Sequence, residues 1–281
     1  MKKLLYILMT GFMVLSIIPA VHGEKRLFCY KFRPGEYLTY QTRRQDSVLF
    51  DHNSSASREI NIRLRETLEI QKSSPDVHHT IAYHLDTLDI SPASMSDRIA
   101  ELDLLQHFRK QFTDTLIYMS TNGYPLLNEG HFQYNQLTLP LSEFPLELNE
   151  GWEFEFDIPD DPDSPVCTSV VFGHGMLYDF IEEDTRILAR FIINATQLFE
   201  GRCSPNGNTT VNREGVIEAT HLVYFDEERG IITKIITDQV IQEKRFTRKQ
   251  NISLTIKTKS TTELLDWDME RPILQSAALI R

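Results

Sequence analysis

The sequence predicts a mostly β fold: long antiparallel strands forming a curved sheet or half-barrel, with one amphipathic helix near 95–112. Its clearest signal is Val216 to Gln242, where two runs rich in β-branched and aromatic residues flank Asp226-Glu227-Glu228-Arg229-Gly230. Glycine accepts positive φ, so this tip can turn the chain into a β-hairpin. A second signal is the alternation of Ile60, Ile62 and Leu64 with Asn61, Arg63 and Arg65 inside 57–72, the pattern of a half-buried antiparallel strand. The third is a change of period. Met95, Ile99, Leu102 and Phe108 recur at helical spacing opposite Asp97, Arg98, Glu101, Asp103 and Arg109, with Ser94 or Ser96 as cap.

In chain order, 1–23 is expected to be a signal peptide. Lys2 and Lys3 precede an apolar run from Leu4 to Pro19, and Ala20-Val21-His22-Gly23 offers small residues for cleavage. The apolar run is short of the ~20 residues that span a bilayer, which favours cleavage over an uncleaved anchor. Arg26 to Tyr30 is expected as a short strand, and Pro34-Gly35 as a turn into a strand ending near Phe50. Residues 77–90 return the 57–72 strand after the turn at Ser73-Ser74-Pro75-Asp76. Thr115 to Met119 is a strand before the Asn122-Gly123 turn, and 137–151, broken by Pro140 and Pro145, is a connector. Trp152 to Ile158 alternates aromatic and acidic residues. A meander of 166–172, 176–182 and 186–200 follows, turning at Gly173-His174-Gly175 and Glu183-Asp184-Thr185; a last strand covers about 251–265.

These elements divide into a first β half with its covering helix (24–145), a second β half (146–265) and a tail (266–281). A duplication is one reading: Gly35 to Gly151 spans 116 residues and Tyr118 to Tyr224 spans 106. Reuse of turn-then-alternation patterns is the other. The hairpin carries Ile231, Ile235 and Ile241 on one face and Ile232, Ile236 and Val240 on the other, which marks an interior strand pair: either the sheet is covered by the helix and its own other half, or it curls around an apolar cavity.

Charge excludes one class of partner. Cleavage removes Lys2 and Lys3, taking Lys plus Arg from 29 to 27 against 40 Asp plus Glu, and net charge from −11 to −13. No basic cluster exists to meet phosphates, so nucleic acid is not expected. Export permits disulfides, and Cys167 with Cys203 is the candidate pair among Cys29, Cys167 and Cys203. The expected meander argues against it, placing the two ~50 Å apart at strand rise, where a bridge needs Cα atoms within about 7 Å. Three free thiols on unfolded, unreduced protein would exclude the bridge.

Catalytic chemistry finds no foothold. His78 and His84 share a strand face but stand ~20 Å apart, too far for one ion. His174 is expected in a turn. His221 is expected as a partly buried structural histidine on the side of Val223 and Phe225. The acidic stretch Asp157 to Asp163 matches no calcium loop. No Gly-x-Ser-x-Gly, His-Glu-x-x-His or phosphate-cradling glycine loop occurs. No cofactor or metal is expected. The residues that stand out are aromatics on strands, and Trp152, Phe154, Phe156, Tyr178 and Tyr224 are the candidate ligand-binding set, weighed against plain core packing.

The stretch Phe32-Arg33-Pro34-Gly35-Glu36-Tyr37-Leu38-Thr39-Tyr40 resembles the opening of a group of secreted bacterial β-sheet proteins of unknown function. The overall plan is similar to periplasmic lipoprotein-carrier and lipocalin-like half-barrels, and that resemblance implies an apolar concave sheet that holds acyl chains. The expectation is therefore an exported, non-enzymatic envelope protein, periplasmic or extracellular, that binds a lipid, another apolar ligand or an envelope protein. The alternative is a structural or assembly factor that docks through its sheet edges.

Overall fold

The computed structural model describes residues 24–50, 58–74, 78–92, 115–126, 136–158, 167–203, 211–246 and 251–268. These residues hold ten strands: β1 (Tyr37–Phe50), β2 (Arg58–Ser73), β3 (His79–Pro92), β4 (Thr115–Met119), β5 (Gly151–Ile158), β6 (Cys167–Glu183), β7 (Arg186–Cys203), β8 (Val211–Asp226), β9 (Ile231–Phe246) and β10 (Asn251–Asp268). They form one curved, open antiparallel sheet in the order β4-β3-β2-β1-β10-β9-β8-β7-β6-β5. Every neighbouring pair is consecutive in sequence except one. β1, the first of the described strands, pairs with β10, the last of them, Thr42 opposite Thr262, so the middle of the sheet joins segments far apart in sequence. Among the described residues, helical structure is limited to one 3-10 turn at Gln136–Thr138. The expected helix at 95–112 and the signal peptide lie outside the described residues, as do 159–166 of the acidic loop.

Side chains alternate across a strand, and here one face carries the core. Its core is aromatic. Phe191 packs edge-on against Phe28 at 4.9 Å and Trp152 at 5.7 Å between ring centres, and Phe225 closes on the same group. The expected strand at Arg26 to Tyr30 is instead an extended segment bridged to the sheet-covering connector at Arg26–Leu146. Phe28, Tyr30 and Phe32 point into the core from it, and the Tyr30 hydroxyl donates to the Leu139 carbonyl at 2.9 Å. Alternation without a sheet partner thus makes a plug, which fills one end of the curved sheet together with Leu137, Leu139, Leu141 and Leu146.

Two other expectations change. The chain does not turn at Gly173-His174-Gly175: β6 runs unbroken from Cys167 to Glu183. The glycines are there for close approach. Trp152 lies opposite Gly175 and Phe154 opposite Gly173, and a Cβ at either glycine would run into the facing ring. Strand glycine that lets an aromatic ring lie on the backbone is a recognised use of the residue. Gly215 does the same beneath Phe199. Because β6 is continuous, Cys167 pairs opposite Gly201. Cys203 is then one diagonal step from Cys167, not ~50 Å from it, at a typical diagonal spacing of ~7–8 Å.

The hairpin forms as expected, as β8 and β9 with a turn at 227–230, and it is interior to the sheet. Among the described residues its outer face is only partly covered. Ile231, Ile232 and Ile235 are buried, whereas Ile236 on the outer face is 36% exposed. The even apolar pattern therefore marks a buried inner face and an outer row, Met176–Ile192–Leu222–Ile236, that is only partly covered.

Candidate functional site

Register converts the inner face into rows. Beyond the aromatic core lies the row Trp152–Gly175–Ile193–His221–Thr237–Ser260–Arg44. The next is Phe154–Gly173–Ala195–Ala219–Gln239–Thr258–Asp46, and the one after it is Phe156–Val171–Gln197–Ile217–Ile241–Ile256–Val48. The face thus passes from aromatic core through a polar band on β1, β10, β9 and β8 to an aliphatic row. In that third row Val48, Ile217, Ile241 and Ile256 are only half-buried.

The polar band is closely bonded. Arg44 Nε and Thr258 Oγ1 both donate to Asp46 Oδ1 at 2.7 Å. The Thr42 and Thr262 hydroxyls meet at 2.8 Å, and Thr42 also donates to Glu66 Oε1 at 3.3 Å. Glu66 is 4% exposed. Burial raises its carboxyl above the ordinary range, the nearby Asp86 adds to this, and hydrogen bonds from Tyr83 and Thr42 oppose it. His221 Nδ1 and Thr237 Oγ1 are 2.9 Å apart across the hairpin. Burial pushes the His221 imidazole down from 6.5 to about 4, so it is neutral at physiological pH.

These two groups titrate against the fold in opposite directions. Glu66 has a raised folded-state value, so its contribution is full below the unfolded value of 4.5 and is lost as pH rises through the folded one. His221 has a lowered value, so its contribution is present above 6.5 and is lost as pH falls toward about 4. Thermal melts should show E66Q gaining stability over wild type as pH rises above the carboxylate range. H221Q should lose less than wild type between pH 6.5 and 4. Parallel pH profiles for all three proteins would contradict both assignments.

The five aromatic candidates do not form one site. Trp152, Phe154 and Phe156 project onto the inner face, the first two buried and the third packed against the core. Tyr178 and Tyr224 are on the outer face. Tyr178 is 44% exposed at the Leu177/Asp179 irregularity. Between the two tyrosines sits Arg190, 5.5 Å from one ring centre and 5.8 Å from the other. Its guanidinium forks onto Asp179, which holds that carboxyl below its usual range. Cross-strand packing of exposed side chains accounts for this outer cluster. His174 is an exposed β6 residue opposite Glu153, not a turn residue.

Sequence reasoning missed Glu66 and the polar band, whose threonines and serines look like ordinary strand residues. It placed His221 on the correct face but could not show that the ring is closed off. Among the described residues, the buried His221 Nε2 and Trp152 Nε1 meet no hydrogen-bond partner. Among the described residues, no group of three or more His, Cys, Asp or Glu is placed to hold a metal ion. No helix among them is long and apolar enough to cross a membrane.

No protein-family model and no curated protein matches the chain. Among solved structures, a lipovitellin chain studied for its lipid–protein interactions is similar at 10% identity and a TM-score of 0.37, with 89% of this chain and 27% of that one covered. An outer membrane channel from Pseudomonas putida F1 is similar at 8% identity and a TM-score of 0.29, with 89% of this chain and 100% of that one covered. Scores at this level carry no inference about ligand, partner or membrane.

Proposed function

We propose that the protein is an exported, non-enzymatic carrier that holds an apolar ligand against the inner face of its open sheet. The observation that supports this reading is the half-buried aliphatic row Val48–Ile256–Ile241–Ile217. It continues across β7 through Gln197 to Val171 and Phe156. A contiguous apolar strip left partly open is a common mark of a ligand-binding surface. The exported address rests on the first 23 residues. The neutral reporter N-phenyl-1-naphthylamine should brighten on titration into the mature chain, and Ile241→Asp should abolish the signal while leaving the fold intact by circular dichroism. A wild-type chain that leaves the reporter dark would sink the proposal.

Edge docking is the second reading. Among the described strands, β4 pairs only with 79–83 of the fourteen-residue β3, and no other described strand pairs with the rest of that edge, where an incoming strand would add. A pull-down from envelope extract that is lost on Leu88→Pro, with reporter binding unchanged, would favour it over the carrier.

A further inference from the structure

The outer face carries an apolar row of its own. Met176, Ile192, Leu222 and Ile236 are neighbours across β6, β7, β8 and β9. Ile236 is 36% exposed and the other three are half-buried. On β10 the row continues to Thr261. A contiguous apolar strip at a surface marks a contact site, and the charges beside this one say what it contacts.

A register row flanks the strip on each side. One holds Arg190, Tyr224, Lys234 and Glu263; the other holds Asn194, Thr220, Asp238 and Lys259. On β9 the first row carries the cation and the second the anion. On β10 the order is reversed. Within the chain Lys234 pairs with Glu263 at 2.7 Å and Lys259 with Asp238 at 3.9 Å. A half-turn about the strip therefore brings every one of these charges onto its opposite.

That is the symmetry of two copies placed face to face about a twofold axis. Each strand then lies over its own counterpart, and Ile236 meets itself. Lys234 of one copy meets Asp238 of the other, and Glu263 meets Lys259, which closes squares of alternating charge. Tyr224 meets Thr220 and Arg190 meets Asn194, so β7 to β10 oppose no like charges. On β1 the central row reaches the exposed Arg43, which would face its own copy and so limits the contact to β10. A chain of net charge −11 repels its copies in general; in this patch the charges cancel.

We propose that this outer patch is a self-association surface, through which two copies meet back to back about an axis along Met176–Ile192–Leu222–Ile236. Four strands by three rows cover about 20 Å by 20 Å at sheet spacings. That is about half of the ~800 Å² per partner of a standard interface, so the dimer is weak and reversible. The inner face of each copy stays free.

Sedimentation equilibrium of the mature chain should show its mass rising from monomer toward dimer as concentration is raised to about 1 mM. Ile236→Asp, which places an acid on the axis, should stay monomeric. Lys234→Asp and Asp238→Lys, each folded by circular dichroism, should also stay close to monomer mass, because each opposes like charges across the axis. An equal mixture of these two should dimerise again, because their heterodimer restores both pairs. Wild type that keeps its monomer mass at about 1 mM would overturn the dimer. Ile236→Asp that dimerises as wild type does, or a mixture no heavier than its two components alone, would overturn this patch and its twofold geometry.

Discussion

Phe191→Ala should destabilise the protein by about 3–5 kcal/mol, the range for deleting a buried aromatic side chain. Phe191 is fully buried and touches Phe28, Trp152 and Phe225 edge to face. Its removal therefore loosens the plug, the edge strand β5 and the hairpin strand β8 together. Total stabilities of domains are ~5–15 kcal/mol, so this one change takes a large share. Phe172 provides the control. It is on the neighbouring strand, but on the outer face and 39% exposed; its alanine variant should stay within about 0.5 kcal/mol of wild type. Urea unfolding with unchanged m-values reads both. Equal shifts for the two variants would mean that the inner face is not where the stability resides.

Gly175→Ala should destabilise by about 1–3 kcal/mol, as overpacked sites do, although alanine is the smallest possible addition. The new methyl enters the space filled by the Trp152 indole. The two residues therefore test each other. In a Trp152→Ala background the methyl has room, and Gly175→Ala should then be neutral or mildly stabilising, because it removes freedom from the unfolded chain. A double-mutant cycle would show this as a coupling of the size seen between residues in contact. Strictly additive effects would show that the ring does not rest on the glycine.

The same pair shows why some of the fold was legible and some was not. Strands such as β2 announce themselves because alternation is local: Ile60, Ile62 and Leu64 are next to the arginines and asparagine that face away from them. The unbroken course of β6 is not local. Gly173-His174-Gly175 looks like a turn until Trp152 and Phe154 are known to face it. The separation of Cys167 from Cys203 was misjudged for that reason alone. In β9, isoleucines on both faces hide which face is inner, and only the partners Val223 and Thr262 of Ile235 decide it. Within the site, the alternation of Trp152, Phe154 and Phe156 with acids was readable. The closed state of His221 was not, because it depends on Thr237 across the hairpin and Ile193 on the strand behind.

The pairing of β1 with β10 carries a consequence for how the molecule comes into being. Thr42 and Thr262 are 220 residues apart, and contacts so distant in sequence form slowly because the long loop must be closed before they reward it. The seam cannot form until β10, Asn251–Asp268, has been made. The β1–β4 and β5–β9 meanders must then wait as separate curved ribbons, each with a bare edge. A chain that ended before Asn251 would not be a sheet one strand shorter, since β10 is its midline. It would be two ribbons with four aggregation-prone edges in place of two.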